Sequence, residues 1–199
     1  MTRRDYLFSG AAGALLAACS SKVEGPARYR VKFETTKGDF LVDVVREWSP
    51  NGADRFYELV TTGFYDGARF FRVVPGFVVQ FGLKGDPAAD AKWDDATIED
   101  DTPRGMSNLP ATVVFAAKQT PNTRSSQVFI NLGQNQRLDA MGFTPFGRVS
   151  EGMAVVAAIN NEYGEAPDQM RIKTEGNAYL ERDFPRLDFI KKASVVPGE

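Results

Sequence analysis

Arg72 is the side chain whose surroundings point most directly to chemistry. It stands in Phe70-Phe71-Arg72-Val73-Val74-Pro75-Gly76-Phe77-Val78-Val79-Gln80, a run otherwise apolar up to its closing glutamine. A guanidinium in apolar company is costly unless something accepts its hydrogen bonds. Taken alone, the run admits two readings: a packing arginine paired to a carboxylate from elsewhere, or a fixed donor presented to a ligand. Composition narrows what else is on offer. The 199 residues include no histidine and a single cysteine, Cys19. Histidine general-base catalysis, a Ser-His-Asp triad and imidazole-ligated zinc are thereby excluded. So are an internal disulfide and a CxxC redox pair. No cofactor and no metal is expected, and a net charge of −2 offers no basic field for nucleic acid.

The elements that hold this run read as mainly β. The length suits one compact domain with a short appendage. Tyr29, Val31 and Phe33 alternate with charged residues, turn at Thr36-Lys37-Gly38-Asp39, and continue into Phe40–Val45 as a hairpin. A helix follows, with Ser49 as cap, Pro50 at its first position and Ala53, Phe56, Tyr57 and Val60 on one face; Gly63 ends it. Short apolar runs at 69–74, 77–82, 112–117, 127–131 and 143–149 predict further strands, and 187–196 a last one. A second helix is expected near Gly152–Ile159. The stretches 83–111 and 160–185 are long, polar and loop-like, a length that is usually functional in a compact domain. Many short strands with two helices predict an antiparallel barrel capped by those helices. A monomer is the default expectation.

The N-terminus reads as an address. Arg3-Arg4 precedes a Gly/Ala/Leu run that is too short to span a bilayer and ends in Leu16-Ala17-Ala18-Cys19. That ending resembles the lipobox of bacterial lipoproteins, in which the cysteine is acylated and becomes the new N-terminus. The implied organisation is a signal peptide at 1–18, a lipidated tether at 19–28 and a folded domain at 29–196. Such a protein is exported and anchored on the periplasmic side of the cell envelope, and more than one acyl chain makes the anchorage stable.

Three segments, in order, carry a further resemblance. They are Phe70–Gln80; Phe115-Ala116-Ala117 with Pro121–Asn131, which contains Ser126-Gln127-Val128-Phe129-Ile130-Asn131; and Leu138–Val149, which contains Leu138-Asp139 and Phe146-Gly147-Arg148-Val149. Together they resemble the cyclophilin family of peptidyl-prolyl isomerases over about 29–196, nearly the whole of the chain that follows the expected signal peptide. The resemblance implies a closed eight-stranded antiparallel barrel capped by two α-helices, with a substrate groove on its outer face. It implies catalysis by Arg72 and Gln80. Substrate would be held by Phe77, Val78, Gln127, Phe129, Leu138 and Phe143, and by the backbone of Ala117 and Lys118, which would pair with the peptide as an edge strand does. The partners implied are unfolded or partly folded chains containing X-Pro bonds.

Four positions depart from the family's common pattern. Phe143 stands where many members carry histidine, and Arg137 where cyclosporin-sensitive members carry tryptophan. Val78 replaces a frequent methionine and Lys118 a frequent asparagine. Two other functions compete with the isomerase: a proline-peptide-binding chaperone with little catalysis, and a barrel that stores a small ligand in its interior.

Overall fold

The computed structural model describes residues 23–197. The expected signal peptide at 1–18, Cys19 and the start of the expected tether lie outside the described residues. Among them, the chain forms β1 (Arg28–Thr35), β2 (Gly38–Val45), β3 (Arg72–Val74), β4 (Val78–Phe81), β5 (Thr112–Phe115), β6 (Val128–Asn131), β7 (Pro145–Glu151) and β8 (Ile190–Val196). They make one sheet in the order β3-β4-β6-β5-β7-β2-β1-β8, with antiparallel neighbours throughout.

The sheet curls into a half-barrel and does not close as expected. β3 and β8 stand at its two ends with no ladder between them. Among the described residues they are joined by the chain ahead of β3 meeting the chain that enters β8 and its first residue, through the Arg69↔Phe189 bridge and the bonds Gly67 N–H to Ile190 O (2.8 Å), Phe70 N–H to Asp188 O (3.0 Å) and Ile190 N–H to Ala68 O (2.9 Å). The Pro75-Gly76 turn, with Gly76 at φ +70°, ends β3 after three residues. The outer edge of β3 is occupied instead by a loop, since Val73 N–H donates to Gly164 O at 3.0 Å.

Five α-helices are present among the described residues where two were expected: α1 (Pro50–Thr61), α2 (Pro87–Asp94), α3 (Met153–Ala157), α4 (Gln169–Glu175) and α5 (Asn177–Asp183). A 3-10 helix covers Gln136–Met141. α2, α4 and α5 lie in the stretches read as loops. α2 buries only Asp90, so it has no apolar stripe to detect. α4 and α5 have seven residues each, too short to establish a 3.6-residue repeat. α2 and α4 are recognisable by caps alone: Asp86 accepts from Ala88 and Ala89 N–H, and Asp168 from Met170 and Arg171 N–H, while α5 starts at Gly176 with no side-chain cap.

The interior is full. Phe33, Phe40, Phe56, Phe70, Phe81, Phe115 and Phe146 are almost completely buried, with Phe33 stacked on Phe40 at 4.9 Å and Phe56 against Phe146 at 4.8 Å. Packing at that density leaves no chamber for a stored ligand, which removes the third function above. A second cluster joins Phe71, Leu83, Ile172, Tyr179, Leu180 and Leu187 beneath α4 and α5. Phe70 and Phe71 thus serve different cores, and the segment between α3 and β8 is packed directly onto the residue before Arg72.

The cap of α1 differs from the sequence expectation. Ser49 makes no capping bond to the helix; its hydroxyl donates to Asp101 Oδ2 at 2.5 Å. The Asp101 carboxylate accepts the helix amides instead, from Asn51 N–H and Gly52 N–H at 2.9 Å each. A carboxylate there also complements the positive end of the helix dipole. Asp101→Ala is expected to cost about 1–2 kcal/mol of stability, the range for loss of a good N-cap. Thermal unfolding should report this as a midpoint lowered by roughly 2–8 °C for a domain of this size.

Candidate active site

The sheet register builds the site. Arg72 of β3 lies opposite Gln80 of β4, Gln80 opposite Phe129 of β6, and Phe129 opposite Val114 of β5. Residues directly opposite in a ladder share a face. Their strand neighbours Val73, Val79, Ile130 and Val113 enter the main core, so Arg72, Gln80, Phe129 and Val114 form a row on the outer face. Val78, Val114, Phe129 and Leu138 make a separate buried apolar cluster there, with Phe77, Ala116 and Phe143 packed on it. These strands are buried on both faces, which is why their sequences do not alternate.

A polar line runs beside this apolar floor. Arg72 Nη1–H donates to Gln80 Oε1 at 3.1 Å, and Gln80 Nε2–H donates to Gln127 Oε1 at 2.8 Å. Gln80 is only 5% exposed, so its amide is fixed by these two partners. On its other side Arg72 meets Glu165: Nε–H donates to Oε1 at 2.6 Å, and Nη2 lies 2.5 Å from the same oxygen. The Phe77 ring takes two guanidiniums, Arg72 at 5.4 Å and Arg137 at 4.8 Å from its centroid. Phe143 sets its ring edge-to-face on Phe129 at 5.8 Å and receives Arg124 at 5.4 Å. Arg124 is itself buried and paired with Asp100.

Beneath the floor, buried amides tie the walls together. Asn135 Nδ2–H donates to Phe77 O (2.9 Å) and to Asn131 Oδ1 (2.7 Å). Asn131 Nδ2–H reaches Asn108 Oδ1 and Thr112 Oγ1. Asn108 Nδ2–H donates to Phe143 O and to Asp139 Oδ1, 2.7 Å each. Backbone at Phe77 and Phe143 and the residue beside Leu138 are therefore held by one network.

All ten residues expected at the site, Arg72, Phe77, Val78, Gln80, Ala117, Lys118, Gln127, Phe129, Leu138 and Phe143, line one groove of about 480 Å³. The edge-strand pairing expected of Ala117 and Lys118 is narrowed. Lys118 N–H is donated to Thr123 Oγ1 at 3.0 Å, so a strand-like pairing at Lys118 would use its carbonyl and not its N–H. Sequence reasoning missed the far wall. Gln169, Met170 and Lys173 of α4 line the groove with Asp94 of α2, and Lys173 Nζ bonds Asp94 at 2.5 Å. That bond holds the Asp94 carboxyl below the ordinary range. The Asn108–Asn131–Asn135 network was missed as well, although the conspicuous asparagine ending Ser126–Asn131 was its signal.

An outward apolar pocket, an edge of free backbone and a fixed cationic donor define a groove for an extended peptide. Comparison with known proteins identifies its class. The family model described as cyclophilin type peptidyl-prolyl cis-trans isomerase/CLD matches residues 30–177. Peptidyl-prolyl cis-trans isomerase-like 1 of Aspergillus oryzae is 32% identical over 173 residues, 85% of this chain and 97% of that protein. Peptidyl-prolyl cis-trans isomerase B of Escherichia coli is 27% identical over 173 residues, 83% of this chain and 98% of its own length. The crystal structure of a Cryptosporidium parvum cyclophilin type peptidyl-prolyl cis-trans isomerase in the presence of the dipeptide Ala-Pro shares the fold. Its TM-score is 0.63 at 19% identity, covering 85% of this chain and 99% of that one. The chain belongs to the cyclophilin-type peptidyl-prolyl cis-trans isomerase family.

One anchor of the groove is titratable. Burial works against the charge on Asp139, but bonds from Asn108 and Ser107 outweigh it and hold the carboxyl below its usual range. A depressed carboxylate stabilises the fold above its unfolded pKa of ~3.9, and that contribution is lost as pH falls through the folded value. Asp139→Asn is therefore expected to be less stable than wild type at pH 7 in urea unfolding. The gap should begin to narrow as pH falls below about 4 and close only once pH has passed through the lower folded value, where both chains are neutral at this position.

Proposed function

We propose that this protein rotates X-Pro bonds in exported polypeptides, with Arg72 as the donor, and that lipid on Cys19 holds it at the periplasmic face of the envelope. The observation that carries the catalytic reading is the bonded line Arg72–Gln80–Gln127 laid along the Phe77, Val78, Phe129, Leu138 and Phe143 pocket.

The reaction needs no acid, base, nucleophile or metal. An X-Pro bond resists rotation by ~20 kcal/mol because twisting breaks amide resonance. In the twisted state the prolyl nitrogen becomes pyramidal and regains a lone pair. A donor fixed where that lone pair forms stabilises the transition state more than the planar ground state. Gln80 fixes the Arg72 guanidinium and is itself fixed by Gln127. The proline ring sits among Phe77, Val78, Phe129 and Leu138, with Phe143 closing one side. Ala117 pairs with the flanking backbone, so one side of the bond is held while the other turns. An apolar floor contributes too, because the planar amide is more polar than the twisted one and loses more on leaving water.

Magnitudes divide the task. An acceleration of ~10⁵ requires about 7 kcal/mol. One charged hydrogen bond supplies roughly 1.5–3 kcal/mol net. The remainder falls to the ring pocket and the backbone grip. Phe143, locked by Phe129 and Arg124, replaces a polar contact with ring packing and favours apolar residues beside the proline.

Support for the anchor lies in Leu16-Ala17-Ala18-Cys19 after a basic start, with a small polar tether to the domain. Cys19→Ser is expected to move the protein from the membrane fraction to the soluble fraction on cell fractionation. Arg72→Ala should lower kcat/KM at least ten-fold in a proline-isomerisation assay while peptide binding persists. Equal rates for the two proteins would leave the groove as a binding site and sink the catalytic mechanism.

A further inference from the structure

We infer that Glu165, on the segment between α3 and β8, is a positioning residue that sets the orientation of Arg72 for catalysis. The inference rests on the role given to Arg72 above. A guanidinium carries five N–H groups. Glu165 Oε1 sits in the fork between Nε and Nη2, 2.6 and 2.5 Å away, and Gln80 Oε1 accepts from Nη1 at 3.1 Å. One hydrogen on each terminal nitrogen keeps no protein acceptor among the described residues, and those two are available to substrate. With Glu165 present, the planar group is gripped from two sides. Without it, a single neutral bond at Nη1 remains, and the group pivots about that bond.

The carboxylate is delivered by a stiff backbone. Gly164, its neighbour, accepts from Val73 N–H, the neighbour of Arg72, so the two side chains project from a strand and a loop tied one residue away. Asn160 N–H donates to Asp188 Oδ2 at 2.7 Å and Asn160 Nδ2–H to Arg186 O at 2.8 Å. Arg186 Nε–H reaches Glu162 Oε2 at 2.8 Å, and the Tyr163 ring packs edge-on against Phe184 at 5.1 Å. Beneath, Phe71 is buried in the α4–α5 cluster. None of these contacts involves the apolar pocket, so the stretch 160–165 acts on the arginine and not on the ring site, unlike α4 further along the same segment, which lines the groove.

Two effects of a carboxylate oppose each other. It directs the guanidinium, and its charge offsets the field that the guanidinium projects toward substrate. Direction wins here. The pair is partly exposed, with Arg72 at 28% and Glu165 at 60% of side-chain area, so water and salt screen the charge. Hydrogen-bond strength meanwhile falls steeply with misalignment and is not screened in that way.

The test uses the full chain in detergent and an Ala-Pro-containing peptide, with kcat and KM separated by peptide titration. Glu165→Ala is expected to lower kcat about five-fold, ~1 kcal/mol at 1.4 per decade, with KM within two-fold. Glu165→Gln, which keeps an acceptor oxygen without the charge, should recover at least half of the lost rate. In an Arg72→Ala background, Glu165→Ala should have no further effect. Unchanged thermal midpoints in all variants separate orientation from folding. A Glu165→Ala enzyme as fast as wild type or faster, or a loss confined to KM, would overturn the inference. If Arg72→Ala itself keeps the wild-type rate, the catalytic reading of Arg72 fails, and this inference fails with it. If Arg72→Ala is slow and Glu165→Ala is fast, only the role of Glu165 is lost.

Discussion

A guanidinium that is to stabilise a transient lone pair has to be bound firmly enough to stay aimed and loosely enough to keep a hydrogen free. The division of the five N–H groups of Arg72 is the constraint around which this molecule is arranged. Gln80 takes one from within the sheet, Glu165 fills the fork from outside it, and the rest remain open. Saturation by protein acceptors would make Arg72 an ordinary structural arginine. Abandoned to solvent, it would sample too many directions to contribute at the moment of rotation.

Everything near the arginine serves that balance. The two-sided burial of β4, β5 and β6 is possible because one face fills the aromatic core and the other makes the apolar floor of the groove. The floor is kept from drifting by a buried amide network that satisfies its own hydrogen bonds while holding backbone at Phe77 and Phe143. A half-satisfied network there would cost more than an apolar one. The short β3 follows from the same need. Its three residues present Arg72 at the end of the sheet, where a loop on the other side can reach it.

Much of this was legible in the residues. The ten residues expected from the motifs all line the groove, though its far wall on α2 and α4 was not among them, and the hairpin, α1 and the later strands followed from periodicity. Three things were not legible. The resemblance implies a closed barrel, whereas the outer edge of β3 is taken by the loop at Gly164, whose sequence carries no strand pattern to announce it. α2, α4 and α5 carry no readable apolar stripe, because what they bury is one aspartate or a few residues of a short turn. The carboxylate partner of Arg72 lies 93 residues away, a distance no local pattern spans. The two initial readings of Arg72, packing partner or ligand donor, proved compatible, since the arginine holds a carboxylate and still has donors to offer.

The pairing of β1 with β8, Arg30 opposite Val196, has a consequence for how the protein comes to exist. The strand nearest the start of the domain finds one of its two neighbours only when the last strand is made, and the loop that carries Glu165 is also late. Contacts of such sequence separation form slowly, because long loops close before they are rewarded. A chain emerging from its N-terminus therefore carries an unaimed arginine and an uncovered sheet edge until its final residues arrive. An enzyme that speeds the folding of other chains is, by this topology, among the last of its own parts to be ready.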